Sequence, residues 1–394
     1  MLSLILPTRN RPHALLHQLR RICASRLCAS RELEIVILDR ASQERVILPA
    51  EIEEVCAIKY EFLPQPNLVA ALRRVPQLIN PRSRWCMVLD DRTTPVLEHK
   101  DQLLDALDDW EQQVGVVATD VYESFQGKGA GDGDGGDEGG SSCEEPRRGR
   151  GGLPEVVRSC AYAIRREALG CFDRMSTDLN GFASELDLSA ALMRQGMHAA
   201  FDARLLVIRR VKDRRQDTRH LGRWLMDRLR FVHANAPADQ RHQAIAMMLR
   251  IALRRAGRWI GDADFDCWER IIADRLVDLP APFNPPLSDS QWDRLIGLAS
   301  ARESIKQHVA QGRTRMAIVE EGDDAPIIQR ALRDAGATLV APDDRPHALI
   351  LGTLEPGILL DAMFRWGEQR HGTLIITPWI PPTPSAATPR LVAA

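Results

Sequence analysis

Residues Arg84-Trp85-Cys86-Met87-Val88-Leu89-Asp90-Asp91-Arg92 form an apolar run that stops abruptly at two carboxylates. An unbroken apolar run of this length suits a β-strand covered on both faces. Adjacent acids at the end of such a strand need compensation, because isolated buried charge is costly. A cation held between the protein and a phosphorylated ligand would supply it. Mg2+ and Mn2+ prefer oxygen donors and are commonly held by one or two carboxylates together with substrate phosphates. The alternative is a strand that runs into a solvated turn.

The preceding segments repeat the pattern. Leu2 to Leu6 is continuously apolar and stops at Pro7; Leu15, Leu16, Leu19 and Ile22 recur at helical spacing; Leu33 to Leu38 is a second apolar run, ending at Asp39. Strand, helix and strand in this length predict a βαβ unit with parallel strands. Ile58 to Phe62 reads as a third strand and Leu68 to Leu78 as a helix. The alternation predicts a doubly wound α/β sheet, in which ligands bind outside the carboxyl ends of the strands. Pro7-Thr8, Asp39 and Asp90-Asp91 all fall at such ends.

Leu2 to Arg11, with its Pro7-Thr8-Arg9-Asn10-Arg11 ending, resembles the opening of the inverting GT-A glycosyltransferases of family 2. Glu34 to Ser42 resembles the next motif of that family, a strand ending in Asp-Asp-Gly-Ser. Asn67 to Asp91 resembles its Asn-containing helix and the following strand end of Asp-x-Asp type. The resemblance covers residues 2–210. It implies a nucleotide-sugar donor, a divalent cation (Mg2+ or Mn2+) and sugar transfer with inversion. By position it places Pro7, Thr8 and Asn10 in the nucleotide pocket and Asp39 facing the base. Asp90 and Asp91 would serve the ribose, the diphosphate and the metal, with Asp91 as the metal ligand. A cation bridging the phosphates would stabilise the charge that grows on a departing diphosphate. Arg40 and Arg92 stand where the family carries acids. Arg92 is either a further diphosphate ligand, since arginine binds phosphate bidentately, or a solvent-facing side chain.

On the acceptor side, Val114 to Thr119 and Val156 to Ile164 read as strands. Arg165-Arg166-Glu167 and Gly170-Cys171-Phe172-Asp173 resemble further family segments. Phe182 to Ser189 resembles the Glu-Asp-x-Asp-Leu motif. An inverting transferase needs one general base for the acceptor hydroxyl. The resemblance assigns that role to Glu185, with Asp187 as runner-up. The alternative is a pair of acids that merely complement a helix dipole. Ala203 to Ile208 is a closing strand. Arg209-Arg210 then stands near where many metal-dependent members carry a histidine.

Composition frames the rest. Of 394 residues, 44% are hydrophobic and 27% charged, and a net charge of -2 offers no global field for nucleic acid. The eight cysteines form no Cys-x-x-Cys pair, so reduced thiols and a cytoplasmic setting are expected; peripheral membrane attachment stays open. The expected organisation is a GT-A-like domain over 1–212, a helical region over 213–312, a small Rossmann-like α/β domain over 313–380 and a tail over 381–394. Residues 126–152 form a Gly-rich insertion in the first domain. The Glu320-Glu321-Gly322-Asp323-Asp324 turn argues against a dinucleotide site there, because its acids repel pyrophosphate. Two functions follow: a metal-assisted inverting glycosyltransferase acting on a glycan, lipid-linked or other hydroxyl acceptor, or a relative that binds nucleotide or glycan without catalysis.

Overall fold

The computed structural model describes residues 1–24, 33–96, 100–126, 147–148, 152–157, 160–177, 179, 183–212, 218–259, 284–369 and 374–379. Most of the Gly-rich insertion, the segment before Asn284 and the tail lie outside them.

The first half builds one large sheet. Its strands are β1 (Leu2–Thr8), β2 (Leu33–Arg40), β3 (Ala57–Leu63), β4 (Trp85–Leu89), β5 (Thr93–Pro95), β6 (Val114–Gln126), β7 (Arg147–Arg148), β10 (Ala161–Arg165) and β11 (His198–Lys212). The short β8 (Gly152–Leu153) and β9 (Val156–Val157) pair only with each other. The sheet order is β3-β2-β1-β4-β10-β6-β11-β5, with β7 on β6. The first four strands are parallel, as the βαβ pattern requires. The sheet is not parallel throughout, however: β10 runs antiparallel to both β4 and β6. The start of β10 therefore lies beside the carboxyl end of β4, Ala161 opposite Leu89. The ends of β6 and β11, which are parallel to each other, reach that edge too.

Both faces are covered, which explains the continuous apolar runs. Leu4 and Leu6 of β1 pack with Leu15, Leu19 and Ile22 of α1 (Pro12–Cys23). Ile5, on the other face, joins a core that includes α6 (Ser184–Arg194). Pro12 opens α1, where its missing N–H costs no hydrogen bond. The helix expected over Leu68 to Leu78 is divided into α3 (Leu68–Leu72) and α4 (Val75–Leu78), after the four-residue α2 (Ala50–Glu53). Pro76 cannot donate into a continuous helix, and it restricts Val75 before it. Helix α5 (Lys100–Asp108) packs against the α1 face of the sheet.

The second half contains α7 (Thr218–Asn235), α8 (Arg241–Trp259), α9 (Asp289–Leu295) and α10 (Leu298–Ala310). A four-stranded parallel sheet follows, in the order β13-β12-β14-β15. Its strands are β12 (Arg315–Val319), β13 (Thr338–Leu339), β14 (Ala348–Leu351) and β15 (Ile375–Ile376), with α11 (Ala325–Asp334) and α12 (Pro356–Gln369) between them. One apolar core runs from Ile5 and Val36 through α6 and Trp292 to Ile327 and Leu349. Cys86 and Cys171 are buried free thiols; Cys56 is disulfide-bonded, an exception to the expectation of reduced cysteines. Among the described residues no helix is long and apolar enough to cross a membrane.

Candidate functional site

The polar ends of β1, β2 and β4 are tied together by side chains. Thr8, the last residue of β1, donates through Oγ1 to Asp91 Oδ2 at 3.3 Å. Arg11, at the N-cap of α1, places Nη1 2.6 Å from Asp91 Oδ1. The Asn10 amide donates to Ser42 Oγ at 2.9 Å, and Asn10 Oδ1 accepts from the Gln43 amide at 2.8 Å. The exit of β1 is thus stitched to the exit of β2. Both turns use left-handed backbone, with φ of 52° at Asn10 and 54° at Ala41. Asparagine tolerates that region; alanine is held there against a cost of about 1–2 kcal/mol. Strain at a strand-end turn is a common mark of a functional edge. Pro7 is buried within β1, paired with Leu38, and forms the back of this edge.

Asp39, expected to face the base, is fully buried. Its Oδ1 accepts from the Ser42 amide at 3.0 Å, and its Oδ2 accepts from the Tyr60 hydroxyl. It therefore shapes the turn that Asn10 reads.

Asp90 closes the turn after β4. Its Oδ1 accepts from the Arg92 amide at 2.9 Å and from Thr93 Oγ1 at 2.6 Å, while its own amide donates to Cys160 O at 2.9 Å. The Gln18 side chain of α1 donates to the carbonyl oxygens of Asp90 and Thr93. On the far side, β11 changes register between Asp202 and Leu206, and its end pairs with β5, Arg209 opposite Thr93. This turn in the strand delivers Arg209 Nε to 3.5 Å from Asp90 Oδ2, with Nη1 3.7 Å from Glu123. Burial pushes the Asp91 carboxyl up, against the pull of the Arg11 guanidinium. Arg92 also lies within electrostatic reach of Asp91, rather than far out in solvent.

Helix α6 carries the two acids expected on the acceptor side. Glu185 is partly buried in its first turn and lies within electrostatic reach of Arg209, Cys160 and Tyr162. Asp187 differs from it. It is buried, and its Oδ2 accepts from the Ser176 amide at 2.6 Å. Burial lifts its pKa to about 6, against that hydrogen bond and the attraction of Arg194. Asn67 and Arg73 hold the same loop from the other side, donating to Thr177 O and Met175 O at 2.7 Å each.

The divalent ion implied by the resemblance does not fit this donor set. Both oxygens of Asp91 and both of Asp90 are engaged, three by hydrogen bonds and the fourth by the Arg209 ion pair. Among the described residues no three His, Cys, Asp or Glu side chains are grouped to hold a metal. An ion at Asp91 would also lie against the positive charges of Arg11 and Arg92. Arg11 and Arg209 are site residues to which the motifs assign no role. The available signal was the repeated presence of arginine at Arg40, Arg92 and Arg209, where acids or a histidine are expected.

No family model and no curated protein matches the sequence. Among solved structures, the S. aureus TarS 1-349 fragment in complex with UDP-GlcNAc aligns at 14% identity over 85% of this chain and 90% of that chain, with a TM-score of 0.43. GalNAc-T7 with UDP, GalNAc and Mn2+ aligns at 14% identity over 72% of this chain and 58% of that chain, with a TM-score of 0.41. At that level of similarity neither likeness says what this chain does.

Proposed function

We propose that the chain transfers a glycosyl group from a nucleoside-diphosphate sugar to an acceptor hydroxyl, with inversion. What supports this reading is that the ends of β1, β2 and β4 are tied together through Thr8, Asn10, Arg11, Ser42 and Asp91, and that Glu185 of α6 lies within electrostatic reach of Arg209, the partner of Asp90. Pro7, Thr8 and Asn10 form the nucleotide wall, and Asp39 supports it through the turn it holds. The end of β4, with Asp90, Asp91 and Arg92, lies where the diphosphate would sit. The acceptor oxygen attacks the anomeric carbon, and the bond from that carbon to the phosphate oxygen breaks. The diphosphate leaves with the bonding pair, and Glu185 takes the hydroxyl proton. Asp187 anchors the neighbouring loop, so Glu185 is the stronger candidate for the base.

The pairing of Asp90 and Asp91 with arginines also favours the second reading, a relative that binds nucleotide sugar without turning it over. A panel of nucleotide sugars, screened by thermal unfolding and then for hydrolysis or transfer, separates the two. A ligand at a hundred times its Kd adds about 2.7 kcal/mol to stability and raises Tm visibly. Glu185→Gln should keep that rise and lose about 10²-fold or more in kcat. A rise in Tm without turnover of any sugar would select the binding protein. If no nucleotide sugar raises Tm, the donor assignment is wrong.

A further inference from the structure

We propose that the donor diphosphate is held by the guanidinium groups of Arg11, Arg40 and Arg209 in place of a divalent cation, with Asp90 and Asp91 as the resting partners that aim two of them. This rests on the nucleoside-diphosphate reading above and specifies how that ligand's charge is met.

Two of these arginines carry a buried donor with no acceptor: Nε of Arg40 and Nε of Arg209 make no hydrogen bond. Buried donors are nearly always satisfied. The Nε atoms of Arg228, Arg241 and Arg302 also lack an acceptor elsewhere, but among the described residues only Arg40 and Arg209 show this at the strand-end edge that carries Arg11, Asp90 and Asp91. Arg209 Nε has only the 3.5 Å ion pair with Asp90, too long for a hydrogen bond. Arg40 shares its surroundings with Arg9 and Arg11 as well as with Asp39 and Asp91. Burial and the two like charges weaken its hold on its proton, whereas the acids oppose them. Positive groups crowded in this way are relieved by an anion.

A guanidinium has five N–H donors in a planar fork. Arg11 spends Nη1 on Asp91, and its side chain is 43% exposed, so further donors remain for a ligand. An aspartate behind an arginine fixes the fork and leaves its outer edge for phosphate, a bidentate match that a lysine would not reproduce. During transfer these charges are already in place as the diphosphate takes up the bonding pair, which is the requirement for electrostatic stabilisation of a leaving group. It also accounts for the arginines at Arg40 and Arg209 where ion-using relatives of the motif carry an acid or a histidine.

The test is calorimetric titration of the full chain with UDP and with GDP, once in EDTA and once in excess Mn2+. Uridine and guanosine serve as phosphate-free controls. The expected result is a diphosphate affinity that changes less than about twofold between the two conditions. Arg209→Gln and Arg11→Gln should each weaken it about tenfold or more, with nucleoside affinity unchanged. Arg209→Lys should restore little of the loss. Binding that requires Mn2+ would overturn this inference while leaving the glycosyltransferase reading intact, as would unaltered affinity in the folded arginine variants. Absence of diphosphate binding in both conditions would overturn both readings. The metal comparison needs no variant, so a misfolded substitution does not stall it.

Discussion

The two acids of α6 are one residue apart across Leu186, yet they have different work. Glu185 is partly exposed, whereas Asp187 is 2% exposed and grips the Ser176 amide. Its pKa near 6 in the fold, against an ordinary 3.8, has a definite consequence for stability. Because the folded value is raised, the unfolded chain loses this proton first as pH climbs. Between about pH 4 and 6 the unfolded state binds fewer protons, so this group's contribution to stability falls with rising pH and stays lost above 6. The loss is on the order of 3 kcal/mol at most. Asp187→Asn keeps an oxygen for Ser176 and removes the titration. The variant should gain stability relative to the parent as pH rises from 4 to 6, measured as the difference between their denaturant midpoints. A pH-independent difference would mean that Asp187 is charged in the fold with no penalty.

At the level of elements, the strands were legible because each is apolar along its length and ends at a polar residue. Leu2 to Leu6, Leu33 to Leu38 and Trp85 to Leu89 needed no tertiary information. The antiparallel insertion of β10 was not legible, since local pattern carries no strand direction. The arginine pairs were hidden for the same reason: Arg11 and Asp91 are 80 positions apart, and Arg209 reaches Asp90 only because β11 changes register before it. Another boundary turned on a single glycine. Within the helical region expected over 213–312, α9 and α10 are divided at Gly297, whose φ is 78°. A Cβ there would also meet Leu354 Cδ1 at 2.8 Å. Gly297→Ala should therefore cost about 1–2 kcal/mol from backbone alone, and more if Leu354 cannot shift. Gly312→Ala is the matching control: its φ is 82°, but nothing lies within 4 Å of the added carbon. A larger loss of Tm at Gly297 than at Gly312 isolates the packing contribution; equal losses would refute it.

For the whole molecule, the question is whether the candidate site stands on an independent domain. The sequence suggests three segments, with breaks near 212 and 312. The packing joins them. Leu186, between the catalytic candidates on α6, and Met193, further along the same helix, share a core with Trp292, Leu295 and Ile327. Gln291 Nε2 donates to Met193 O at 2.9 Å, Arg294 Nε donates to Glu155 at 2.8 Å, and Arg194 reaches Asn235 at 2.6 Å. Trp292 is the centre of this junction, 2% exposed and stacked on Phe231 at 6.4 Å between ring centroids. Its removal leaves a cavity that touches α6 itself, and Trp→Ala in such settings costs about 3–5 kcal/mol. A chain joined in this way should unfold in one calorimetric transition, with calorimetric and van't Hoff enthalpies in agreement. Trp292→Ala should lower that one transition as a unit and should weaken Glu185-dependent turnover even below the new Tm, because α6 loses its backing. Two transitions, with the variant shifting only the one that leaves nucleotide-sugar binding unaffected, would mean that the candidate site is built without the second half of the chain.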